Sequence, residues 1–321
     1  MKPCCYTNAD LHVTSELPIP EWAAFESDRP CPQPDVTITV ESGERLSRPD
    51  EESGEGGPPP LEGEGVESEK FETRLITGDE YRFHAPHAGE YWVRQGRAIH
   101  ITPAPGARPR EMRLFLLGSA WGALCYQRGI LSLHSSVVQV GNGAFAFCGE
   151  TGAGKSLLAA WLISRGHRLV SDDLSRFEVL PNGAPRVYPS SPRLKLWRDA
   201  LNKLGRSAAG LERDYFRSDK FHLPLPGDEA QHPLPLAGIY LLKWGEPGIT
   251  RLTGATALRR FVESATYRGD LLEPMGQAAA HWQRCAEIAR RVPIWEFARP
   301  RDWTAFDAAM EMLLKHWQNV Y

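Results

Sequence analysis

Residues 149–156 read GETGAGKS, directly behind the apolar run Ala144-Phe145-Ala146-Phe147-Cys148. Few sequence features constrain a fold this tightly. The pattern G-x-x-x-x-G-K-[ST] is met by Gly149, Gly154, Lys155 and Ser156. Its glycines let the intervening Glu150, Thr151, Gly152 and Ala153 turn their N–H groups toward a polyphosphate, while the helix that follows offers its positive end. Lys155 is then placed to reach terminal phosphates, and the Ser156 hydroxyl to ligate Mg2+. A chance glycine-rich turn is the competing reading, and the strand before and helix after the loop argue against it. The loop alone leaves open whether the phosphate is hydrolysed, passed to a small molecule or passed to another protein.

Around the loop the chain alternates strands and helices. A hairpin is predicted from Ser135 to Cys148 through Gly141-Asn142-Gly143. The loop helix runs to about Arg165 with Gly166 at its C-terminal cap. A strand over Arg168–Ser171, a hairpin about Pro181-Asn182-Gly183 and a strand over Gly238–Lys243 follow. Helices near 255–267 and 276–291, a strand over Pro293–Phe297 and a helix near 303–317 complete an α/β domain over 106–321. Residues 1–105 read instead as a small β-rich domain, with Tyr91-Trp92-Val93 and Ala98–Ile101 flanking a Gln95-Gly96 turn. Between its strands, residues 41–70 carry ten acidic and three basic side chains plus a proline triplet. That composition cannot bury enough apolar surface to offset its ordering entropy, and a flexible linker is expected.

Net charge is −3, which argues against nucleic acid as a partner. No apolar run reaches the length of a bilayer and none follows the N-terminal lysine, so no membrane partner and a cytoplasmic location are expected. The six cysteines (Cys4, Cys5, Cys31, Cys125, Cys148 and Cys285) are scattered as reduced thiols would be.

Two further features accompany the loop. Asp172 and Asp173 close the stretch RGHRLVSDD, one helix and one strand beyond it. In phosphoryl transfer one carboxylate commonly holds the metal and another receives the acceptor's hydroxyl proton. Carboxylates so close together should also have their pKa values driven apart. A turn-capping Asp pair is the structural alternative. His134, in LHSSVV, precedes the hairpin, and a lone histidine is more often structural.

Together these residues resemble the HPr kinase/phosphorylase family, which phosphorylates a serine of a carrier protein. Its pattern of histidine, hairpin, phosphate loop, helix and R-G-H-R-L-V-A-D-D is matched by His134, GETGAGKS and Arg165–Asp173. His134 lies twenty-one residues before Lys155, and Asp173 eighteen after it. The resemblance implies a fold of the HPr kinase/phosphoenolpyruvate carboxykinase type for 106–321. It implies ATP and Mg2+ as cofactors, Asp173 as proton acceptor, and His134 and Lys155 as catalytic partners. Asp172 is a candidate for holding the metal with Ser156, or for orienting Asp173. The family's metal-binding glutamate, in a stretch like E-I-R-G-L-G-I-I-N, has no counterpart in Val187–Trp197, which puts a reverse, phosphorylase reaction in doubt. The YPSSPRLKLW, LPLAGIYLL and VPIWEFARPRDW segments make the chain similar to HPr-kinase-related proteins that include lasso-peptide precursor kinases. A peptide or protein bearing an acceptor serine is the partner this implies, with self-association left open.

Residues 193–220 carry eight basic and four acidic side chains. Ser191-Pro192 reads as a cap opening a helix there, and Leu204–Asp219 as a mobile loop beside the substrate. Most of these charges should be solvated, with Arg193 or Lys220 the candidates to neutralise phosphate. Three readings of function stand at this point: a serine kinase for a peptide or protein, a kinase for a small-molecule alcohol, and a nucleotide-binding regulator without transfer chemistry.

Overall fold

A computed structural model describes residues 3–41, 72–214, 219–225, 230 and 232–320. The acidic linker expected over 41–70 lies, from residue 42 onward, outside the described residues, as do positions 215–218 of the expected mobile loop. The chain forms two compact units. The first comprises residues 1–130, 213–219 and 268–278, and the second comprises the remainder.

The first unit is built on a seven-stranded sheet in the order β1-β2-β3-β7-β6-β5-β4. Its strands are β1 (Cys4–Asn8), β2 (Leu11–Ser15), β3 (Val36–Val40), β4 (Glu72–Ile76), β5 (Glu80–Ala85), β6 (Gly89–Arg94) and β7 (Ala98–Pro103). Alternate residues Tyr81, Phe83, Tyr91, Val93, Ile99 and Ile101 are fully buried, as the period of two requires. The helix expected after residue 105 forms as α1 (Pro109–Phe115) and α2 (Trp121–Gln127), joined by a π turn over Leu116–Ala120. It compacts with the first unit, so the division falls at 130/131 and not at 105/106. The cause is aromatic packing: Phe115 meets Phe83 and Tyr91 at 6.4 and 6.1 Å, and the Tyr91 hydroxyl donates to the Met112 carbonyl at 2.9 Å.

The second unit is a mixed α/β fold. It contains β8 (Leu131–Val140), β9 (Gly143–Cys148), α3 (Lys155–Ile163), β10 (Arg168–Ser171), β11 (Leu174–Val179), β12 (Pro185–Val187) and β13 (Arg193–Trp197). After these come α4 (Arg198–Lys203), the two-residue β14 (Glu212–Arg213), of which only Glu212 belongs to this unit, β15 (Lys220–Pro224), β16 (Leu234–Trp244) and β17 (Gly248–Leu252). The last elements are α5 (Gly254–Ala265), α6 (Ala278–Ala289), β18 (Ile294–Arg299) and α7 (Phe306–Val320). Strand β16 runs parallel to both β9 and β18, so the carboxyl ends of all three face the same way. Both faces of β9 are covered. Phe145 and Phe147 pack with Leu158, Leu162, Met310 and Trp317 on one face. Ala144, Ala146 and Cys148 pack with Phe261, Cys285 and Ile288 on the other. The unbroken apolar run before the loop is the signature of a strand buried on both faces.

One expected element is replaced. Ser191-Pro192 opens no helix; Arg193–Trp197 is a strand, paired antiparallel with β15 from Arg193↔Pro224 to Trp197↔Lys220. The alternation decides it, because Leu194, Leu196, Phe221 and Leu223 bury one face of the ribbon while its charged residues take the other. Among the described residues, no helix is long and apolar enough to cross a membrane.

Candidate active site

The loop 149–154 leaves the carboxyl end of β9 and enters α3, and Gly149, Gly152 and Gly154 all take positive φ (154°, 85° and 79°). The Ala153 N–H closes the turn on the Glu150 carbonyl at 3.0 Å, and the Gly149 N–H is tied to the Ser264 carbonyl at 3.1 Å. Lys155 is 7% exposed, with its ammonium donating to the carbonyls of Gly149 (2.7 Å) and Glu150 (3.1 Å). Burial lowers its pKa, while Cys148, Asp172 and Asp173 pull it back up. A partly desolvated ammonium folded onto its own loop is primed to exchange carbonyl partners for anionic ones.

Asp172 and Asp173 follow β10, and their side chains do separate work. The Asp172 carboxylate accepts a short bond from the Ser136 hydroxyl, and Ser156 Oγ lies 3.1 and 3.2 Å from its two oxygens. The loop serine and the first aspartate therefore face one another. Burial raises the Asp172 pKa, opposed chiefly by the bond from Ser136. Asp173 adopts a left-handed backbone (φ 73°), which turns its side chain away from its neighbour's partners. Its Oδ2 meets Lys195 Nζ at 3.0 Å and its Oδ1 meets His134 Nδ1 at 3.3 Å, while His134 Nδ1 also lies 3.0 Å from the Asp173 carbonyl. Lys195 is the largest cause holding the Asp173 carboxyl well below the usual range, with His134 assisting. The Asp173 side chain keeps 40% of its surface exposed, so solvent tempers these pulls. The two carboxylates are displaced in opposite directions, Asp172 chiefly by burial and Asp173 chiefly by Lys195, with their mutual repulsion a lesser cause on Asp172.

Every residue singled out in the loop, with His134, Asp172 and Asp173, thus meets around one loop-and-strand corner. Within the basic stretch Lys195 touches Asp173, while Lys220 acts on Asp172 and Lys155 through its charge. Three contributors escaped the sequence reading. Lys195 was legible in the alternation R-L-K-L-W once a strand is recognised there. Ser136 sits two residues beyond His134, on the opposite side of the pleat from Ser135. Arg299, at the end of β18, donates from Nη2 to the Ala153 carbonyl of the loop, and no local pattern announces it.

The donor set fits a divalent cation shared with phosphate: Ser156 Oγ and the Asp172 carboxylate are hard oxygen ligands side by side. Among the described residues no group of three or more His, Cys, Asp or Glu side chains could hold a metal ion.

Fold and site define a mixed α/β protein whose glycine-rich loop opens at the carboxyl ends of parallel strands, facing a pair of carboxylates. No family model matches the chain. Among curated proteins, it is 34% identical over 87 residues to the HPr kinase/phosphorylase of Xanthomonas campestris pv. campestris (strain B100) and to that of Xanthomonas oryzae pv. oryzae (strain PXO99A). Those matches take in 27% of this chain and 26% of each relative, so the chain spans about a quarter of the length of the curated relatives it matches. The solved Hpr(Ser) kinase/phosphatase from Coxiella burnetii covers 58% of this chain and 97% of its own, at 11% identity and a TM-score of 0.32. An overlap that loose carries no weight for the fold.

Proposed function

We propose that this chain is an ATP- and Mg2+-dependent kinase that transfers a γ-phosphate to a serine hydroxyl of a peptide or protein, with ribosomally made precursor peptides of the lasso type as the substrate class to test first. One observation carries the reading. The serine of the glycine-rich loop touches Asp172, while the adjacent Asp173 is held between Lys195 and His134. The similarity to proteins named HPr kinase/phosphorylase, over 87 residues, supports it.

In this reading the loop N–H groups and Lys155 bind the polyphosphate, and Ser156 and Asp172 hold Mg2+, which neutralises charge on the phosphate oxygens when bound. Asp173 accepts a hydrogen bond from the serine hydroxyl and takes its proton at a carboxylate oxygen. A carboxylate held low on the pH scale is a weak base. In a loose phosphoryl-transfer transition state its first task is orientation, with the proton moving late. His134 fixes Asp173 through both its carbonyl and its carboxylate.

The test is Asp173→Asn, assayed with labelled ATP against candidate precursor peptides. Transfer should fall by about 10³-fold while ATP affinity stays within about threefold of wild type. Retained transfer removes the mechanism, and transfer to metabolites alone favours the small-molecule reading.

A further inference from the structure

Arg299 is the most buried charged side chain around the loop, at 2% exposure. Among the described residues its guanidinium makes one hydrogen bond, from Nη2 to the Ala153 carbonyl. Among the described residues its buried Nη1 has no hydrogen-bond partner. Among the described residues no carboxylate pairs with it, and burial pushes the guanidinium down to about 10. The cation lies over the Trp244 ring at 4.6 Å and near that of Phe297 at 5.7 Å. Trp244 and Arg299 stand opposite one another at the ends of β16 and β18, beside the end of β9 from which the loop springs. The fit to the loop is close: a Cβ at Gly154 would lie 2.7 Å from Arg299 Nη2 and 3.8 Å from Trp244 Cη2.

Proteins rarely bury a cation without an anion, because desolvation is uncompensated. Where they do, the missing counter-charge is commonly a ligand. The loop carbonyl that Arg299 holds belongs to the glycine-rich turn, whose free N–H groups would serve an anion in the proposed reading. We propose that Arg299 is a positioning residue of the phosphate loop, bracing the 153–154 turn from behind and finding its counter-charge in the polyphosphate of the bound nucleotide. Trp244 covers the guanidinium on its other side, so that water does not screen it. This inference rests on the loop being a nucleotide site, and it adds a residue that the glycine-rich motif does not contain.

The probe is inorganic tripolyphosphate, with ATP alongside, titrated by calorimetry into the full chain at low ionic strength. Arg299→Met should weaken tripolyphosphate binding at least tenfold, and Arg299→Lys, which returns the charge without the planar fork, should recover most of the loss. Arg299→Gln is a second neutral variant if the Met protein does not fold. Emission from Trp244, assigned by difference against Trp244→Phe, should change on tripolyphosphate binding in wild type and not in the neutral variants. Wild-type affinity in the neutral variants overturns the inference, as does a Lys variant as weak as they are, which would make the brace one of shape alone. Wild type that binds neither probe removes the nucleotide site itself, and this role with it. Wild-type binding with unaffected neutral variants removes only the role of Arg299.

Discussion

At the residue scale, the ion pair between Lys195 and Asp173 sets the state of the proposed base. Lys195 holds the carboxyl low, so Asp173 stays ionised well into acid. In Lys195→Met that pull is gone, the carboxyl protonates at higher pH, and the acid-side fall in activity should begin at higher pH than in wild type. A pH–rate profile for the two proteins checks this. An acid limb that does not move would mean that Asp173 is not the group titrating there. Ser136 pulls Asp172 the same way without overcoming burial, and the two aspartates, adjacent in sequence, are kept chemically distinct by burial and by neighbours from β8, α3 and β13.

At the scale of elements, the turn from β9 into α3 depends on Gly154. Its φ of 79° costs an L-residue about 1–2 kcal/mol, and an added methyl would also displace Arg299. Gly154→Ala should therefore lower stability by roughly that amount in thermal melts and weaken nucleotide binding at least tenfold. Unchanged binding would show that the loop tolerates a different shape. Much of this part of the chain was legible in sequence, because the apolar run, the hairpin turn at Gly141-Asn142-Gly143 and the glycine spacing are local signals. What was not legible is tertiary. The ribbon of β13 and β15 was hidden by a serine–proline pair that mimics a helix cap, and with it went the role of Lys195. Arg299 lies 145 positions beyond Gly154 (299 − 154). No periodicity links the two, since only the parallel order β9, β16, β18 brings them together.

At the scale of the whole molecule, the second unit carries an acid-sensitive point at His281. His281 is buried on α6, its Nε2 lying 3.0 Å from the Thr266 hydroxyl, and burial lowers its pKa to about 4. The unfolded chain binds this proton at about pH 6.5 and the folded unit does not until about 4. Its contribution to stability is therefore complete above about 6.5 and is lost as pH falls toward 4, by at most about 3 kcal/mol. Denaturant titrations across that range should show the decline, and His281→Gln should flatten it. An equal slope in the variant would place the acid sensitivity elsewhere.

The parallel trio of strands also bears on the order in which the protein is made. The ribosome delivers the glycine-rich loop before the strand ending in Arg299, with β16 in between. Parallel pairings of this span close only after the intervening chain has been released and folded around them. A nascent chain can thus display the complete loop motif for well over a hundred residues of synthesis before the cation that braces it arrives. Under the role proposed for Arg299, full binding at the loop would wait for the end of β18.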